Sequence, residues 1–393
     1  MVFDLTARFL IIVRRRAQFE QGSKESTSEM NTEEEKYLLG LKLIPYFSRR
    51  ISKVMDAFGS PKCAWDASGK EIMERLGISV DLAEKISVER SKIDLDLELE
   101  KISAFGAEIL SISDSAYPRS LKEISSPPVL FVKGDLLKTY SDAVAIVGSR
   151  KASAYGRAVA FELAKQLADL GVTVVSGVAR GIDSAAHRGA LSSSGSTIGV
   201  LGCGLDVVYP PENRNLYEEI SERGSLVSEL PLGIDPLPPN FPARNRIISG
   251  LTKGTVVVEA SERSGALITA DFALEQGREV MVVPGNVKSS VSKGCHKLIK
   301  EGAYLIDTID DIVGILQLDL RLPKDALNDD KLKVELSIEE QSILNCLGWE
   351  SRHIDEIMEA VDYDISKVSS LLTILELKGL VKQDFGHNYL RIQ

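Results

Sequence analysis

Cysteine and histidine are scarce in this chain, four of each in 393 residues, and neither is spaced for metal or disulfide chemistry. Cys63, Cys203, Cys295 and Cys346 lie far apart with no C-x-x-C pair, and His187, His296, His353 and His387 have no ligand spacing around them. Neither a zinc site nor a disulfide framework is indicated, which fits a reducing, cytoplasmic setting. A surplus of positive charge is also missing. The formal net charge is −10, so any anion site must be local and not a property of the whole surface. Long apolar runs are absent too: FLIIV at 9–13 is too short to cross a bilayer, and Arg14, Arg15 and Arg16 follow it where a signal peptide would place them before it. No membrane partner and no targeting signal are expected. The chain has no G-x-x-x-x-G-K-[ST] loop for P-loop hydrolysis and no G-x-S-x-G nucleophile elbow.

What is present is a hydrophobic fraction of 44%, enough for a sizeable core divided over two or three domains. Residues 1–30 end in the polar stretch QGSKESTSEM and read as a disordered arm or a mis-set start. From 31 to 115 the apolar spacing is helical, through YLLGLKLI, RRISKVMDAF, EIMERLG and VDLAEKIS, which predicts a small helical domain. The pattern then changes. Over 116–317, apolar runs (AVAIV, VTVVS, TIGVLG, TVVVEA and EVMVVPG) alternate with helices, which predicts an α/β domain with a doubly wound parallel sheet. Residues 318–335 are polar and read as a linker, and 336–393 read as three short helices and a hairpin, the order of a winged helix. Its third helix, ISKVSSLLTILELKG, has few basic residues, which favours a protein-binding or regulatory role over duplex reading.

Four loops fall at the carboxyl ends of predicted strands, where open α/β sheets hold their ligands. The first is Gly148-Ser149-Arg150-Lys151, where Arg150 stands at the second glycine of the dinucleotide fingerprint and argues against NAD. The second is GVARGIDSAAHRGAL, with Gly177 and Gly181 for close backbone approach and Asp183 or Ser184 as helix caps. The third is PPNFPARNRIISG, with Phe241, Arg244, Asn245 and Arg246 at a helix start, and the fourth places Ser264 and Gly265 before a helix of small residues. Backbone amides, several guanidinium groups and one aromatic suit a chain of phosphates with a stacked base. Taken singly, each has an ordinary structural explanation: Arg150, Arg244 and Arg246 as ion-pair partners, Asp183 as a cap, His187 as a core histidine. Their convergence on one edge of one sheet carries the reading.

In order and spacing, "IVGSRKASAYG", "SGVARGIDSAAHRGAL", "FPARNRIISGL", "SGALITADFALEQGREVMVVPG" and "KGCHKLIKEGA" resemble the DprA, or Smf, family of DNA-processing proteins, over essentially 31–393. The resemblance implies an extended Rossmann-like domain, an N-terminal SAM- or helix-hairpin-helix-like domain and a C-terminal winged helix. It implies a non-enzymatic homodimer, without cofactor, that binds single-stranded DNA through the Rossmann-like domain and loads the recombinase RecA in natural transformation. By motif, Arg150 would hold a backbone phosphate, Ser176, Gly177 and Arg180 would continue the pocket, and Phe241 with Arg244 would meet the strand. The chain departs from the resemblance at His296, where the family commonly has Asn, and at LIPYFSRR, where relatives often carry a Gly-containing hairpin; Tyr46, Phe47 and Ser48 there argue against DNA binding by this domain. A rival reading is a nucleotide-processing enzyme, because lysine-decarboxylase-like phosphoribohydrolases share this type of sheet, but their P-G-G-x-G-T-x-x-E loop is missing here. A third is a small-nucleotide sensor acting through the winged helix.

Overall fold

Serine and aspartate set the helices of the N-terminal region. The computed structural model describes residues 33–48, 50–136, 142–193, 195–318, 336–347, 351–361, 363–384 and 386–391. The arm assigned to 1–30, and all of the linker but Leu318, lie outside the described residues. Contacts divide the chain into two compact units, the smaller holding residues up to Tyr117 with 126–131 and 230–232. In it, Ser60, Ser68, Ser79 and Asp94 each cap a helix through a side-chain oxygen, starting Pro61–Asp66, Gly69–Leu76, Val80–Arg90 and Leu95–Phe105. Strand β1 (Ala107–Leu110) follows. The segment LIPYFSRR forms the short helix Pro45–Ser48, with Phe47 fully buried and the Arg50 guanidinium 4.5 Å from the centre of the Tyr46 ring. Core packing therefore occupies the segment that departs from the expected Gly-containing hairpin.

The larger unit is built on strands buried on both faces. After β2 (Leu130–Gly134), these are β3 (Ala143–Val147), β4 (Thr173–Ser176), β5 (Thr197–Leu201), β6 (Ser225–Ser228), β7 (Gly254–Val257) and β8 (Glu279–Val282), and the sheet ends in an exposed two-residue edge strand, β9 (Tyr304–Leu305). They pair in parallel in the order β6-β5-β4-β3-β7-β8-β9. Helices Ala154–Asp169, Ile182–Leu191 and Ile309–Leu316 share one core with Val144, Ile146, Val174, Val256 and Met281. Two of these helices lie so close that a β-carbon on Gly189 would fall 2.1 Å from the Phe161 carbonyl oxygen. This is the doubly wound α/β sheet that the alternating pattern predicts. The sequence missed β6 because SLVS carries a serine at each end; both are buried, and Ser228 donates its hydroxyl hydrogen bond to the Cys203 carbonyl at 2.7 Å.

The C-terminal segment forms helices Ile338–Cys346, Ile354–Val361 and Ile365–Leu377 over a sheet ordered β10 (Arg352–His353), β12 (Asn388–Arg391), β11 (Val381–Asp384), the winged-helix arrangement. Its core is aliphatic, with Ile343, Ile357, Val368 and Leu372 fully buried. Lys367 on the third helix is ion-paired with Glu339 at 2.7 Å, which removes a cation from its exposed face.

Candidate functional site

The chain leaves β3 toward β4, β5 and β6, then returns to pair β7 with the other side of β3, so the connections diverge between β3 and β7. Loops leaving two such strands separate and open a crevice at their carboxyl ends. Here the loop after β3 is tied to the one after β7 by the Ser149 amide, which donates to the Glu259 carbonyl at 2.7 Å. No residue but glycine fits at 148, where a β-carbon would fall 2.6 Å from Ile182 Cγ1 and 2.9 Å from the Glu259 carbonyl oxygen. The crevice holds a cavity of about 670 Å³.

Nine of the fourteen residues singled out from the sequence line it: Gly148, Ser149, Arg150 and Lys151 from the first loop, Phe241, Arg244 and Asn245 from the third, and Ser264 and Gly265 from the fourth. Gly177 and Arg180 line a small cleft beside it, together with Arg150, Tyr209 and Phe241. Gly181, with a φ of +77°, packs against the first loop, where a β-carbon would meet the Ser149 carbonyl oxygen at 2.2 Å. Ser176 is fully buried and donates to the Ile146 carbonyl at 2.7 Å, and Arg246 is paired with Glu229 at 2.6 Å; neither lines the cavity. His296 contacts the Gly285 carbonyl at 3.0 Å and is also outside it.

The helix following the first loop does not offer its N-terminus to a ligand. Glu259, 4% exposed, accepts from the Ser153 amide at 2.8 Å and from the Ser153 hydroxyl at 2.6 Å, while Ser153 Oγ accepts from the Gly156 amide at 3.0 Å. The protein's own carboxylate thus supplies the negative charge that a helix start favours, and Gly156 is small enough to admit it, since a β-carbon there would fall 2.4 Å from Glu259 Cδ. The charge that faces the cavity from this loop comes from Arg150 and Lys151, both exposed. Glu259→Gln keeps one accepting oxygen but turns the other into an NH2 donor facing a Ser153 donor, and melting in the absence of any ligand is expected to show a loss of about 1–3 kcal/mol.

The cavity floor carries two buried charges that act on each other through space. Arg244, 6% exposed, donates from Nη1 to the Val200 carbonyl at 2.7 Å, and its guanidinium lies where a side chain on Gly177 would be, 1.9 Å from an added β-carbon. Asp183, 7% exposed, does not cap its own helix. It reaches back so that Oδ2 accepts from the amides of Gly177 at 3.2 Å and Ala179 at 3.4 Å. Burial pushes the Asp183 carboxyl up, opposed by Arg244 and the two amides, and burial brings the Arg244 guanidinium down to about 10, opposed by Asp183. Beneath them the imidazole of His187 is engaged at both nitrogens. Thr197 Oγ1 donates to the Val174 carbonyl at 2.7 Å and so accepts from Nδ1 at 2.7 Å, while Nε2 accepts from the Val178 amide at 3.4 Å. Burial holds this histidine neutral, down to about 3, and its work is to fix the turn in which Val178 has a φ of +53°.

Phe241, half-buried, forms the aromatic wall. The Arg150 guanidinium carbon lies 5.2 Å from its ring centre, and the Tyr209 ring lies 5.5 Å away, tilted by 42°. Arg180 is held in a two-pronged ion pair by Glu212. Tyr209 and the prolines 236, 238 and 242, which complete the wall, were not among the residues singled out from the sequence. Tyr209 lies in DVVYPPEN, between a strand and a helix; its Tyr-Pro-Pro signals a rigid turn but not a partner for a ring 32 residues on.

The sequence matches the family described as DNA recombination-mediator protein A over residues 108–317, and the DprA winged helix domain over 329–387. Protein Smf of Escherichia coli (strain K12) is 42% identical over 282 residues, 70% of this chain and 75% of its own. DNA processing protein DprA of Streptococcus pneumoniae (strain ATCC BAA-255 / R6) is 45% identical over 220 residues, 56% of this chain and 76% of its own. The X-ray structure of DNA processing protein A from Streptococcus pneumoniae superposes with a TM-score of 0.63 at 38% identity, covering 71% of this chain and 97% of that one. The family match spans more than half of the chain and takes in every loop that lines the cavity, so the chain belongs to the DprA/Smf family of DNA-processing proteins.

Proposed function

We propose that the cavity between β3 and β7 binds single-stranded DNA and that the protein acts without catalysis, as a recombination mediator. The observation that carries this reading is the placement of the exposed Arg150 5.2 Å from the half-buried Phe241 ring, at the mouth of the 670 Å³ cavity. A cation for the backbone beside an aromatic face for a base is the pairing on which sequence-tolerant single-strand binding rests. Loading of RecA during natural transformation, assembly as a homodimer through the α/β domain and a cytoplasmic location are the roles the family resemblance implies. Among the described residues, no helix is long and apolar enough to cross a membrane. With Lys367 ion-paired, the winged helix suits a protein partner better than a duplex.

The phosphoribohydrolase reading needs a glutamate free to act at the sugar. Glu259, just past the end of β7 beside this crevice, has both its oxygens engaged by Ser153. Incubation with nucleoside monophosphates is expected to release no base; measurable turnover would favour the enzyme.

Arg150→Ala tests the site. Loss of one phosphate contact is expected to flatten log K against log[salt] by roughly 0.7 and to weaken binding alike for all base sequences. The loop arginine is exposed, so melting should be unchanged. A variant with wild-type affinity and slope removes Arg150 from the interface.

A further inference from the structure

Two arginines face the small cleft beside the cavity, and the protein treats them differently. Arg150 and Arg180 share that cleft with Gly177, Tyr209 and Phe241. Arg150 has no acidic partner among the described residues, whereas Arg180 is gripped by Glu212, its Nε donating to Oε1 and its Nη2 to Oε2 at 3.1 Å. That fork is also the geometry in which a guanidinium takes a phosphate. Glu212 therefore occupies the donors that a nucleic-acid backbone would use.

The backbone fixes this pairing from both sides. Arg180 lies between Val178, with a φ of +53°, and Gly181, with a φ of +77°. Glu212 lies in the 3₁₀ turn Pro211–Asn213, and Asn213, 4% exposed, donates from Nδ2 to the Val178 carbonyl and to Ser184 Oγ, both at 2.9 Å. The two loops are thus locked face to face across 32 residues of chain. Their charged side chains are not locked, for that of Arg180 is 52% exposed and that of Glu212 50%, against 18% and 20% for Arg246 and Glu229. An exposed ion pair opens at little cost, whereas a buried one does not.

We infer that Glu212 is a built-in competitor for Arg180: in the free protein it stands in for a backbone phosphate, and a strand seated on Arg150 and Phe241 gains Arg180 only by displacing it. The inference rests on the single-strand reading of the site and adds a restraint to it. Displacement leaves the Glu212 carboxylate beside the bound backbone without its partner, so the strand is held less tightly than the two arginines alone would hold it. The same carboxylate is at hand to retake Arg180 as the strand leaves, which suits a recombination mediator.

The test measures binding of a labelled oligothymidylate to the full-length wild type, Glu212→Gln, Arg180→Ala and the double variant, at about 0.15 M salt, where charges more than about 8 Å apart are largely screened. Glu212→Gln is expected to bind about threefold to fivefold more tightly, the fold-change that corresponds to breaking one exposed ion pair. In the Arg180→Ala background the same substitution is expected to change affinity by less than about 1.5-fold, because the carboxylate then has nothing to compete for. Both side chains are half-exposed, so all four proteins should melt alike without DNA. Equal tightening in both backgrounds would assign the effect to general repulsion by an acid and overturn the competition while leaving single-strand binding in place, as would unchanged or weakened binding by Glu212→Gln. A wild type that binds no oligothymidylate overturns the single-strand reading itself.

Discussion

Replacing Arg244 with Met is expected to cost about 3–5 kcal/mol of folding stability, the range for stranding one member of a buried charge pair. The stranded member is Asp183, whose carboxylate would remain 7% exposed with two loop amides and no nearby buried cation. The loss should depend on pH in a definite direction. Burial raises the Asp183 pKa above its unfolded value, so the folded state binds the proton more tightly. Stability therefore falls as pH rises from the unfolded carboxylate range through the raised folded value. Arg244 opposes that rise, so its removal enlarges the effect. The deficit of the Met variant should be greatest at neutral pH and shrink on acidification. Denaturant melts of both proteins at neutral and mildly acidic pH measure this; a small deficit, or one independent of pH, contradicts a charge pair at the cavity floor.

Phe241→Ala is expected to weaken single-strand binding by about 1–3 kcal/mol, the range for loss of one base–aromatic stack, while leaving the salt slope unchanged. The ring is half-buried, and its neighbours at the site are Arg150, Tyr209 and the backbone of Gly202, where a β-carbon would meet the ring at 2.9 Å. Removing it opens the wall without emptying a core, so melting without DNA should move little. Binding isotherms at several salt concentrations, set beside the melts, separate the two roles. A large fall in melting temperature with unchanged affinity would place Phe241 in the packing and take it out of the interface.

Much of the α/β architecture was legible because a parallel sheet leaves a strong mark: AVAIV, VTVVS and EVMVVPG are apolar on both faces and alternate with helical segments. The loops were legible for the same reason, since each must follow a strand. What could not be read was how side chains cross between loops. Glu259 ends TVVVEA and looks like the close of a strand, yet its carboxylate is spent on Ser153, 106 residues earlier, and turns an apparent anion cradle into a closed helix cap. Asp183 reads as a helix cap from its position, but the αL turn at Val178 and the Gly177 amide draw it backward into the cavity floor. Arg246 and Arg244, two residues apart on one helix, look equivalent in FPARNR; their helical positions send one to Glu229 and the other to the floor. Such outcomes depend on three-dimensional neighbours that spacing does not encode.

The central claim is that this acidic chain has one local site for single-stranded DNA, and the most direct measurement is binding of the wild-type protein to labelled oligonucleotides, single- and double-stranded, across a salt series. The account predicts that the single strand binds more tightly than its duplex at every salt concentration, and that its affinity falls linearly in log[salt] with a slope of roughly 0.7 per phosphate held. Equal affinity for the two forms, or binding to neither, would contradict it.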